Sequence, residues 1–120
     1  MKYLMLIYNS EAEMAGQSEE KMKGMMGEFM AFTKSLHESG QHRASERLQP
    51  VATATTVRVR DGKTLTTDGP FAETREQLGG FYMVEAEHLD DALKIAARIP
   101  SARLGSIEVR PIWEMAMPPK

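Results

Sequence analysis

At 120 residues with 42% hydrophobic content, the chain can bury one core but is too short for two ordinary domains, so a single domain over 1–120 is expected. A net charge of −2, with no block of lysines or arginines, argues against direct contact with nucleic acid. The chain contains no cysteine, which excludes disulfides, thiolate nucleophiles and cysteine-ligated metal centres and leaves carboxylates, three histidines, tyrosines and hydroxyls to carry any chemistry.

The run Lys2–Tyr8 is too brief and too quickly followed by Asn9-Ser10-Glu11 to be a signal peptide, and its spacing predicts a strand. Tyr3, Met5 and Ile7 alternate with Leu4, Leu6 and Tyr8, so both faces are apolar and both should be covered. No apolar run is long enough to cross a membrane as a helix, and a cytoplasmic location is expected. Asn9 to Gln17 is small and polar. Ser18 then caps a helix whose first turn holds Glu19 and Glu20, and Met22, Met25, Met26, Phe29, Phe32, Thr33 and Leu36 form one stripe that ends at Ser39-Gly40. Methionines at this spacing make a pliable packing surface rather than a copper-type thioether site.

Residues 41–48 alternate as a strand with one wet face, near a sheet edge. Thr55–Arg60 and Lys63–Thr67 flank Asp61-Gly62, the favoured turn of a two-residue hairpin. Phe81–Ala86 reads as a further strand. Leu89, Ala92, Leu93, Ala96 and Ile99 mark a second helix that stops before Pro100, and Ile107–Trp113 is the last strand, confined to an edge by Pro111. The resulting class is α+β, a ferredoxin-like βαββαβ order with an inserted β-hairpin. Right-handed crossovers put both helices on one side of the sheet. Covering a few hundred square ångströms of the other side, at roughly 25 cal/mol per Å², contributes several kcal/mol, so a homodimer packed sheet to sheet is expected, with the hairpin and the tail after Trp113 wrapping the partner.

Asp68-Gly69-Pro70-Phe71 and the following Ala72–Tyr82 are the least ordinary stretch: a stiff corner, four charges and paired glycines leading into a strand. This segment resembles the signature of the DGPF branch of the YCII-related proteins. The similarity extends from the opening Met1–Tyr8 through Leu48-Gln49-Pro50 and Ala54–Arg58 to the closing Gly105–Ile112. It implies a dimeric α+β barrel without a settled activity, often associated with extracytoplasmic-function sigma factors. Some relatives use a histidine on the first helix paired with an aspartate, and here the comparable position falls near Phe29, so that dyad is missing. The residues matching the branch motif are Asp68, Gly69, Pro70, Phe71, Glu73, Glu76, Gly79 and Gly80.

Asp68 and Glu73 are the candidate acid–base pair, with Arg75 as a fork for an anionic ligand and Tyr82 positioning it. A plainer account stands beside this one: Asp68 caps its own turn, Glu73 opens a helical turn, and Arg75 meets Glu73 or Glu76 in water. His42 and Glu46 share a side of their predicted strand about 13 Å apart, close enough for a ligand to bridge but not for a direct bond. Tyr3, Tyr8, Tyr82 and Trp113 are candidates to line a cavity, or simply core and interface. Gly79-Gly80 fits a bulge or a close backbone approach. No metal and no cofactor are expected, since neither His37 nor His88 has ligand spacing to a second histidine. The expected function is binding of a small organic ligand or a regulatory partner near the motif; the alternative is a cofactor-free enzyme acting on a small carbonyl or phenolic substrate.

Overall fold

The computed structural model describes residues 1–115. In chain order it contains β1 (Lys2–Asn9), α1 (Glu11–Ala15), α2 (Glu19–Glu38), β2 (His42–Arg47), β3 (Thr55–Arg60), β4 (Lys63–Asp68), β5 (Gln77–Glu85), α3 (Leu89–Ala97) and β6 (Ser106–Pro111), with short 3₁₀ turns at Val51–Thr53 and Pro100–Arg103. The expected wrapping tail after Trp113 falls mostly on 116–120, outside the described residues.

Local chemistry sets the boundaries. The Ser18 hydroxyl accepts from the Lys21 N–H at 3.2 Å, Glu19 and Glu20 face the positive end of α2, and Gly40 leaves the helix at φ 76°. α1 was not anticipated; Ser10 caps it by accepting from the Glu13 N–H at 3.2 Å. Asp61 and Gly62 both adopt positive φ, 52° and 74°, the type I′ geometry that joins β3 to β4 without splaying them.

Four strands form an antiparallel sheet in the order β2-β5-β1-β6, each βαβ unit split by an intervening strand, which is the ferredoxin-like arrangement. The sheet is open, not a closed barrel. β6 lies at an edge, as Pro111 requires. Among the described residues β3 and β4 pair only with each other.

Both long helices lie over the face bearing Tyr3, Met5, Ile7, Tyr82 and Val84, where Phe32, Leu36, Ala92, Ile95 and Ile99 complete the core. Each full burial of a side chain of this size contributes about 1.5–3 kcal/mol before entropy is counted. Arg103 clamps the Pro100–Arg103 turn to α2 through both Glu28 carboxylate oxygens, at 2.6 and 3.4 Å. The opposite alternates of the central strands, Leu4, Leu6, Phe81 and Met83, are only half-buried. The methionine stripe of α2 divides likewise: Phe32 and Leu36 are buried, whereas Met22 and Met26 stay exposed. A Cβ on Gly27 of α2 meets nothing within 4 Å. Gly27→Ala is therefore expected to raise stability by about 1 kcal/mol, read from the shift of a urea unfolding midpoint.

Candidate functional site

The corner after β4 is built from backbone. Gly69 takes φ 103°, its N–H donates to the Ala54 carbonyl at 2.7 Å, and its own carbonyl accepts from the Thr56 hydroxyl at 2.8 Å. Asp68 ends β4 opposite Thr55. Asp68, Glu73 and Arg75 are exposed, and among the described residues their side chains make no hydrogen bond or ion pair. The two candidate carboxylates are not joined in the single chain.

Order in this loop comes from residues that the motif reading passed over. Gln77 accepts the Glu11 N–H at 2.9 Å and donates to the Thr74 carbonyl at 2.6 Å, while the Glu11 carboxylate accepts from the Val51 N–H at 3.0 Å. One glutamine and one glutamate thus hold α1, the 3₁₀ turn before β3 and the motif loop together. Glu76 reaches the other way, accepting from the Ser106 hydroxyl at 2.8 Å. Ser106 lies opposite Tyr8, so the loop ends beside the last residues of β1. The glycine pair works as a bulge with a close approach. The β1–β5 register slips at Gly79, and a Cβ on Gly80 would stand 2.7 Å from the Glu46 carbonyl oxygen.

His42 and Glu46 do not share a face, contrary to expectation. The β2–β5 register shifts between His42 and Ala44, so His42 pairs with Val84 on the helix side while Glu46 pairs with Phe81 on the other. His42 stacks on His37 of α2 with ring centroids 4.0 Å apart, and its Nε2 lies 2.8 Å from the Ser45 hydroxyl. Burial, then the His37 charge, then Arg43, push the His42 imidazole below the ordinary 6.5. A histidine depressed in the fold binds its proton more readily when unfolded, so the stability it gives is present above the ordinary value and lost as pH falls through the lower folded one. The melting temperature is expected to drop between pH 7 and pH 5 by more in the wild type than in His42→Gln, as scanning calorimetry would read.

The aromatic quartet also divides. Tyr3 and Tyr82 are buried on the helix side. The Thr33 hydroxyl donates to the Phe29 carbonyl at 2.9 Å, so the Tyr82 hydroxyl, 2.7 Å away, donates to Thr33; Phe32 packs edge-on at 5.0 Å. Desolvation pushes the Tyr82 phenol up. Trp113 is exposed. Tyr8 lies on the open side, donating to Glu108 at 3.3 Å, with Arg110 Nε 3.6 Å from the same carboxylate. Burial and then the Glu108 charge raise the Tyr8 phenol. The open face is therefore an apolar strip, Leu4, Leu6, Phe81 and Met83, bordered by Glu108 and Arg110 on β6 and by Glu46 on β2.

A family model of the YCII-related domain matches residues 1–116. The chain belongs to the YCII-related family. It is also similar to an uncharacterized protein of Rhizobium meliloti (strain 1021), 40% identical over 114 residues that cover 93% of this chain and 92% of the relative. In this YCII-related chain Phe29, which stands where the resemblance places a histidine in some relatives, packs half-buried against the core.

Two further features of this YCII-related chain lie away from the motif loop. Met14, Gln17, Lys21, Met22, Met25 and Leu104 border a shallow groove of ≈ 370 Å³ between the start of α2 and the turn before β6. Glu87, His88 and Asp91 bring one potential metal ligand each within 4.8 Å, but His88 Nδ1 already lies 2.9 Å from Asp91 at the exposed start of α3, where acidic groups suit the helix dipole. No helix among the described residues is long and apolar enough to cross a membrane.

Proposed function

We propose that this YCII-related protein, of the DGPF branch, is a homodimer that binds a small organic ligand between facing sheets, with the motif loop at the rim and no turnover. The observation that carries the reading is the half-buried apolar strip of Leu4, Leu6, Phe81 and Met83, on the side of the sheet opposite both long helices. A second copy laid over that strip encloses apolar walls with a few polar groups at their margin, Tyr8, Glu108, Arg110 and Glu46, the composition of an ordinary small-molecule site. Glu76, fixed to Ser106 opposite Tyr8, brings the end of the motif loop to that margin, while Asp68, Glu73 and Arg75 extend it outward as solvent-facing contacts.

The chemistry matches an apolar or aromatic compound with one polar substituent. Acid–base catalysis by Asp68 and Glu73 is the competing account, and no contact among the described residues couples them. A thermal-shift screen of small aromatic and carbonyl compounds separates the two. A stabilising compound should bind more weakly to Asp68→Asn and come back unchanged after long incubation. Product formation that Asp68→Asn abolishes would establish the enzyme account instead.

A further inference from the structure

Among the described residues the β3–β4 hairpin has no cover of its own. It shares no ladder with the four-stranded sheet, and an isolated two-stranded hairpin is marginal in water at best. Every residue of β4 and five of the six in β3 are exposed, Val57 and Val59 to 60% each. The molecule is also extended. The Cα radius of gyration is 16.8 Å, against about 13.5 Å for a compact chain of this length.

Its two faces differ in chemistry. The register puts Thr55, Val57, Val59, Thr64 and Thr66, all β-branched, on one side with Asp68 as its single charge at the base, and Thr56, Arg58, Arg60, Lys63, Leu65 and Thr67 on the other. The charged side is tethered at its base, where Arg58 donates to the Phe71 carbonyl at 3.5 Å. The valine side, uncharged beyond Asp68 at the base, is the one suited to burial.

Area argues for what covers it. Four strands spaced about 4.8 Å apart and about six residues long present roughly 400 Å² of sheet face, so two facing sheets bury on the order of 800 Å², no more than crystal-packing contacts do. Each arm face adds roughly 200 Å² and covers as much of whatever it lies on, so two exchanged arms raise the total to about 1,600 Å², the size of a stable specific interface.

We infer that the β3–β4 arm is a reciprocal clasp, its Val57/Val59 face packing on a second copy of this chain. This rests on the sheet-to-sheet dimer proposed above and goes beyond it, because it makes the arms, rather than the sheets alone, responsible for affinity. The exchange also carries each motif loop, rooted at the arm's base, toward the partner's side of the cleft.

The experiment is sedimentation velocity over a dilution series, comparing wild type with the double variant Val57→Asp/Val59→Asp and with Arg60→Glu/Lys63→Glu on the other face. The clasp predicts that the first pair raises the dimer dissociation constant at least 100-fold while the second changes it less than about threefold. A wild-type dimer that Val57→Asp/Val59→Asp leaves equally tight overturns the clasp and spares the sheet-face reading. A monomeric wild type overturns both. Because the chain has no native cysteine, Val57→Cys can carry a benzophenone label at a single site, which keeps the test open if the aspartate pair fails to fold. Irradiation should give covalent dimer on a denaturing gel, and adducts only within one chain would refute the clasp.

Discussion

Gly105→Ala is expected to cost about 3 kcal/mol and to lower the melting temperature by roughly 12 °C. Gly105 joins the Pro100–Arg103 turn to β6, and its N–H donates to the Ser101 carbonyl at 2.9 Å. A Cβ there would collide with the Tyr8 carbonyl oxygen, stand 2.6 Å from Asn9 Oδ1 and lie 3.2 Å from the Asn9 Cα. Two of those three atoms are backbone of β1, the central strand that holds half the sheet, so relief requires moving β6 away from it. Gly80→Ala should behave in the same way, since Glu46 O and Arg47 Cα stand at 2.7 and 3.4 Å. Gly79→Ala supplies the control: its nearest neighbours are at 3.8 and 3.9 Å, and the change should stay within about 1 kcal/mol. Calorimetric melts of the three variants read this contrast directly.

Leu6→Glu is expected to raise the dissociation constant of the proposed homodimer at least 100-fold, about 2.8 kcal/mol, while leaving a cooperatively folded monomer. Leu6 points away from the helices, and its register partners on either side are Phe81 and Glu108, with Glu46 across from Phe81. A third carboxylate in that row is both desolvated and repelled when a second sheet closes over it. Its neighbour gives the opposite phenotype. Met5 is fully buried under the helices, so Met5→Ala should cost about 2–5 kcal/mol of folding stability through the cavity it leaves. Circular dichroism melts paired with sedimentation distinguish the loss of assembly from the loss of fold.

The fold was legible in the sequence because its signals are local. Alternation in Lys2–Tyr8, the Ser18 cap, the Asp61-Gly62 turn and the stop before Pro100 each act within a few residues, and together they specify the order of a split βαβ sheet. Misreadings arose where a single residue resets a longer pattern. The bulge at Arg43 turns His42 toward α2 and leaves Glu46 on the far side, a flip that strict alternation through 41–48 does not contain. The aromatic quartet was divided by the same two-residue period, Tyr3 to one face and Tyr8 to the other.

The motif was legible as a corner but not as a braced one. Gln77 and Glu11 are 66 residues apart, and their hydrogen bond exists only because β1 and β5 pair with Asn9 opposite Gln77. A polar residue two positions before the glycine pair was the available signal, since backbone N–H groups at a short helix start need an acceptor from somewhere. The cluster of Tyr8, Glu108 and Arg110 depends in the same way on the β1–β6 register, which no local pattern fixes.

The proposed function requires a twin of this molecule over the apolar side of the sheet. Sedimentation equilibrium of the wild-type chain across roughly 1 µM to 1 mM tests it most directly. The proposed dimer gives a mass of twice 13.4 kDa that resolves into single chains only at the dilute end; 13.4 kDa at every concentration rules it out.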